Sequence, residues 1–84
     1  MSYGIKYRKI DNLYWQVESD WLEGYRACHF ALEVLLTLRE KDINAIVEPT
    51  RHREICFPHQ FLIDVLFENE ADEAEFIMKE SPWE

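Results

Sequence analysis

Residues 20–41, DWLEGYRACHFALEVLLTLREK, decide the fold. Asp20 followed by Glu23 has the form of a capping box, with Asp in place of the usual Ser or Thr. The spacing predicts one long helix from Asp20 to Lys41 or Asp42. At about 100° per residue, Glu23, Arg26, Glu33, Thr37 and Glu40 fall on one polar stripe. Trp21, Tyr25, Cys28, Ala31, Leu32, Leu35, Leu36 and Leu38 fill a wide apolar arc, as expected of a helix lying on a sheet. Phe30 breaks the rule. It stands in the middle of the polar stripe, and its phase predicts exposure.

Working back from the helix, residues 3–9 and 13–18 both alternate. Tyr3, Ile5 and Tyr7 oppose Lys6 and Arg8; Leu13, Trp15 and Val17 oppose Tyr14, Gln16 and Glu18. Alternation of this kind predicts half-buried strands joined as a hairpin. A three-residue loop over Ile10, Asp11 and Asn12 pairs Tyr7 with Trp15 and Ile5 with Val17, and keeps Lys6 and Arg8 on the other face. A two-residue loop sets Arg8 beside Trp15 and mixes the faces, so the first register is expected, with Asn12 left-handed.

Working forward, INAIVE (43–48) predicts a strand ending at Pro49, and residues 49–60 a loop with a short edge strand at Glu54–Phe57. FLIDVLF (61–67) is the most apolar strand. Leu62 and Leu66 lie opposite Phe61, Ile63, Val65 and Phe67, which suggests a central strand covered on both faces. Asn69 is placed to cap an acidic helix beginning at Glu70. Its extent is open between a helix to Met78 and a shorter helix followed by an edge strand over 75–80. The alternation of Phe76 and Met78 with Ile77 and Lys79 slightly favours the strand. Without its first strand the order reads β-α-β-β-α-β, the ferredoxin-like pattern. The expected fold over residues 1–84 is therefore one α+β domain: a ferredoxin-like two-layer sandwich. Its antiparallel sheet of four to five strands, with an N-terminal hairpin, packs on one long and one short helix.

The segment FLIDVLFENEADEAEFIMKE (61–80) resembles the C-terminal pattern of small uncharacterised proteins of tailed phages. In those an apolar strand leads into an acidic F-E-N-E-x-D-A-like turn and helix, then a closing strand. The resemblance implies a phage or environmental origin and an α+β sandwich. It implies no activity and assigns no residue a role.

The formal charge is −8, and it is uneven. Residues 1–63 carry nine acids and eight bases; residues 64–84 carry eight acids and only Lys79 in compensation. Such a C-terminal quarter repels phosphate backbones and attracts basic partners, unless it is simply a solvated helix face. No apolar run reaches the ~18 residues that span a bilayer. MSYGIKYRKI lacks the apolar segment of a secretory signal, so a cytoplasmic location with Cys28 and Cys56 reduced is expected.

Few constellations offer chemistry. His52, Cys56 and His59, with Cys28 and His29 on the helix, contain metal-ligand types, but their spacing matches no standard zinc site. Cys56 with His59 or His52 as base has the types for a nucleophile, yet the Ile-Cys-Phe-Pro run reads as buried, where thiols are inert. Arg51, His52 and Arg53 form a small group suited to an anion. Lys6, Arg8, Lys9 and Tyr14 lack the glycine- and aromatic-rich strand of sheet-based RNA binders, and nucleic acid is disfavoured. Gly24 follows no strand, so there is no phosphate loop. No catalytic residue, metal or cofactor is expected. Aromatics in charged surroundings are the better signal. They point to an interface over Phe30, Arg26, Glu33 and Trp83, and to a protein partner or self-association as a homodimer. The expectation is thus a non-enzymatic interaction or regulatory module. The alternative is a small ligand-binding protein or enzyme with an anion site near Arg51, Arg53, Cys56 and His59.

Overall fold

The computed structural model describes residues 5–19, 22–50 and 60–80. Its elements run β1 (Tyr7–Asp11), β2 (Tyr14–Val17), β3 (Leu22–Glu23), α1 (Gly24–Glu40), β4 (Ile46–Thr50), β5 (Gln60–Leu66) and α2 (Glu70–Glu80). All strand pairings are antiparallel. The expected small α+β fold, a sheet with two helices, is what forms.

β5 is the hub of the sheet. Leu66, Val65 and Asp64 pair with Tyr14, Trp15 and Gln16 on β2, and the same three pair with Ile46, Val47 and Glu48 on β4. β2 and β4 therefore flank β5 on opposite sides, and β1 lies outside β2. In the ferredoxin-like pattern that outer place belongs to the last strand. Here the first strand fills it, so residues 75–80 have no edge beside β2 to join. They complete α2 instead, which corrects the strand reading. Glu73, Phe76, Ile77 and Glu80 turn inward at helical spacing, while Met78 is 79% exposed. The Asp72 backbone N–H donates to Asn69 Oδ1 at 2.9 Å, so Asn69 is the cap its position suggested.

The hairpin is shifted by two residues from the expected register. Tyr7 pairs with Val17, Arg8 with Gln16 and Lys9 with Trp15; a bulge at Ile10 then brings Asp11 opposite Tyr14. The turn is Asn12–Leu13, and Leu13, not Asn12, is left-handed at φ 62°. A two-residue slip preserves faces, so the inward set is unchanged. Lys9 lies on the Trp15 face in either register, and here it pairs with Trp15 directly. β4 also runs past the expected stop to include Pro49 and Thr50; an edge strand tolerates proline.

α1 starts later than its sequence suggests. Leu22 and Glu23 pair with Phe61 and Gln60 as a short strand, and Glu23 is an extended N-cap without a side-chain cap bond. Asp20 and Trp21 lie outside the described residues. At the other end the Asp42 N–H donates to the Arg39 carbonyl at 3.0 Å, and the Ile43 N–H to the Leu38 carbonyl at 2.9 Å. These two bonds form a Schellman motif, sealed by the buried Ile43 and Leu38. Its left-handed position holds Asp42, φ 59°, where glycine is usual. Asp42→Gly should raise stability by about 0.5–1 kcal/mol by removing the left-handed cost of a side chain. Urea denaturation reads this directly, and a destabilised variant would contradict it.

The core lies between the sheet and both helices. α1 contributes Ala27, Ala31, Val34 and Leu38; the sheet contributes Tyr7, Trp15, Val17, Ile63 and Val65, joined by Phe67 just beyond β5; α2 contributes Phe76. Phe76 is fully buried. It meets Tyr7 edge-on at 4.8 Å, Trp15 edge-on at 5.1 Å and Phe67 at 5.0 Å between ring centroids. No helix among the described residues is long and apolar enough to cross a membrane.

Candidate functional site

The helix phase that buries Ala27, Ala31, Val34 and Leu38 turns other apolar side chains outward. Tyr25 is 75% exposed, and Leu32 and Leu36 are each 52% exposed. Spaced by seven and four residues, they share the outer side of α1. Cys28 and His29 are exposed on the same helix. The apolar arc predicts Tyr25, Cys28, Leu32 and Leu36 on the face toward the sheet, and their exposure corrects this. The physical reason is packing distance. Small Ala27 and Ala31 let the helix approach the sheet closely, so the buried face is narrower than the apolar arc and the bulkiest residues are left over.

Phe30 is rotated the other way. It is half-buried and packs against the core, so the exposure expected from its phase is not found. Its ring helps to form the floor of a groove of about 700 Å³ between α1 and the N-terminal part of the hairpin. Ile5, Val17 and Leu36 complete the apolar lining. Lys6 and Glu18 stand on the hairpin wall; Glu33, Thr37 and Glu40 stand on the helix wall. Leu36 belongs both to the groove and to the exposed ridge, so the two are continuous. Arg26 and Glu33 are exposed on α1, as expected, and Glu33 lies 3.4 Å from His29.

The acids of the C-terminal quarter have separate fates. Glu73, only 7% exposed, accepts the Trp15 indole N–H at 2.8 Å and lies 3.2 Å from Lys9 Nζ, which itself sits 5.9 Å above the Trp15 ring. Burial pushes the Glu73 carboxyl upward. The Trp15 N–H, the Lys9 ammonium and the Leu13 backbone amide outweigh it and hold the group below the ordinary carboxylate value. Asp64, 5% exposed on the face away from the helices, accepts Tyr14 Oη–H and the Gln16 side-chain amide, both at 3.0 Å, and the Thr50 hydroxyl. Burial, then the charge and hydrogen bond of Asp64, raise the Tyr14 phenol. Arg8 extends this network by donating to Gln16 Oε1 at 3.2 Å. Three donors from β2 and β4 thus converge on one carboxylate of β5, an arrangement that clamps strands together rather than one that transfers protons. Lys41 Nζ bonds Glu80 Oε2 at 3.0 Å and Lys79 Nζ the Lys41 carbonyl at 2.6 Å, tying the end of α2 to the end of α1. Burial, then Glu80, pushes the Tyr7 hydroxyl well above its usual range.

Arg51, His52, Arg53, Cys56, His59 and Trp83 lie outside the described residues. So does the edge strand expected at Glu54–Phe57. Among the described residues no group of three or more His, Cys, Asp or Glu is arranged to hold a metal. No family model, curated protein or solved structure matches this chain.

Proposed function

We propose that this domain is a non-enzymatic protein-interaction module, regulatory in kind, that engages its partner through the outer side of α1. The observation that carries this reading is the ridge of Tyr25, Leu32 and Leu36. Single exposed apolar residues are ordinary, but three aligned on one helix beside an apolar groove form a patch of the kind that marks contact surfaces. Tyrosine is itself enriched at such surfaces. The carboxylates with organised surroundings, Glu73 and Asp64, are engaged by structural hydrogen bonds between elements, which argues for scaffolding roles.

Leu32→Glu tests the reading. The side chain is half in solvent, so thermal stability should stay within about 0.5 kcal/mol of the parent. Association with the partner, read as its retention on affinity capture and as the sedimentation coefficient of the captured complex, should be lost. If both are unchanged in Leu32→Glu and in Tyr25→Ala, the outer side of α1 is plain surface and the reading fails.

A further inference from the structure

We propose that the groove beside Phe30 seats one large apolar side chain from a basic segment of the partner; this rests on the interaction reading above. The groove has an apolar floor, with Phe30, Ile5 and Val17 at its base and half-exposed Leu36 at its lip. Its volume, about 700 Å³, exceeds what a single side chain fills, so the occupant enters with flanking backbone.

Charge chooses the occupant. Among the described residues, three carboxylates, Glu18, Glu33 and Glu40, line the groove against one ammonium, Lys6. Glu33 and Glu40 are seven residues apart, which sets them about 10 Å apart along the helix wall. Glu18 faces them from the hairpin wall. Glu18 and Glu40 form no ion pair with any described residue, and Glu33 meets only His29, which is charged only when protonated. Arg26 does not line the groove. An apolar anchor flanked by Lys or Arg therefore meets carboxylates on both walls. An acidic segment meets repulsion, and so does a second copy of this chain, which carries a net charge of −8.

The test is fluorescence anisotropy of the full chain with short synthetic peptides sharing a central Trp, flanked by Lys and Arg, by Ser, or by Glu. The basic peptide should bind about tenfold tighter than the neutral one, the scale of a few rim ion pairs, and the acidic peptide should not saturate. Added salt should erase the preference. Glu18→Gln, Glu33→Gln and Glu40→Gln together should equalise basic and neutral peptides, and Leu36→Asp should abolish binding of both. Equal affinity for basic and neutral peptides overturns the proposal. So does a dimer that Leu36→Asp dissociates, which assigns the groove to a second copy. Binding that appears only in Trp83→Ala overturns it too, by assigning the groove to the chain's own C-terminal residues. If peptides fail but Leu32→Glu still releases a captured partner, the module reading stands and only the groove's occupant is wrong.

Discussion

Phe76→Ala should lower the stability of this domain by about 3–5 kcal/mol, the scale of a fully buried aromatic truncation. Phe76 is the only α2 side chain in the aromatic cluster, and it touches Tyr7, Trp15 and Phe67 at once. Those rings come from β1, from β2 and from the residue just beyond β5. Removing the Phe76 ring thus strips one contact from each of three sheet residues, and α2 loses its anchor. A domain of 84 residues carries about 4–13 kcal/mol in total, so the variant should be partly unfolded at 37 °C. Phe76→Leu, which refills most of the volume, should recover more than half of the loss. Urea unfolding followed by Trp fluorescence measures both. A loss under about 1 kcal/mol in Phe76→Ala would mean that α2 does not seal the core as described.

Glu73→Ala should have the next largest effect, about 2–4 kcal/mol, because it removes a buried, hydrogen-bonded partner of a lysine. The carboxylate joins α2 to the hairpin through the Trp15 indole N–H and Lys9 Nζ. The same contacts give an acid-sensitive component of stability. Folding lowers the Glu73 pKa below its ordinary value of 4.5. The folded state therefore binds this proton less readily than the unfolded chain does. The stabilisation is fully present above about pH 4.5 and is lost as pH falls through the lower, folded value. Glu73→Gln should be less stable than the parent at pH 7, and the gap should close on acidification. A gap that stays constant down to pH 3 would show that another group carries the acid response.

The sheet and both helices were readable because each rests on local pattern. Alternation marked β1 and β2, a nearly continuous apolar run marked β5, and Asn69 marked the start of α2. Register was not readable. The two-residue slip of the hairpin leaves every face unchanged, so the choice falls to a contact distant in sequence, Lys9 of β1 with Glu73 of α2 at 3.2 Å. The end of α2 was misread for a topological reason. Nothing near residues 75–80 reveals that β1 already occupies the place beside β2. The candidate site was half legible. Phe30 stood out as misplaced in a polar stripe, but it proved to be a groove floor. The exposed ridge went unseen because Tyr25, Leu32 and Leu36 look like core residues. The signal that identifies them is relative: an apolar arc too wide for one buried face, containing alanines at Ala27 and Ala31 that mark where the close approach occurs.

The most direct test of an interaction surface on α1 is amide NMR of the uniformly labelled chain titrated with the basic Trp peptide. The account predicts shifts concentrated at Ile5, Lys6, Glu18, Phe30, Leu36 and Glu40, extending along the helix to Leu32. Shifts confined to the opposite sheet face, around Arg8, Gln16 and Asp64, would contradict it, as would saturable binding with no change on α1.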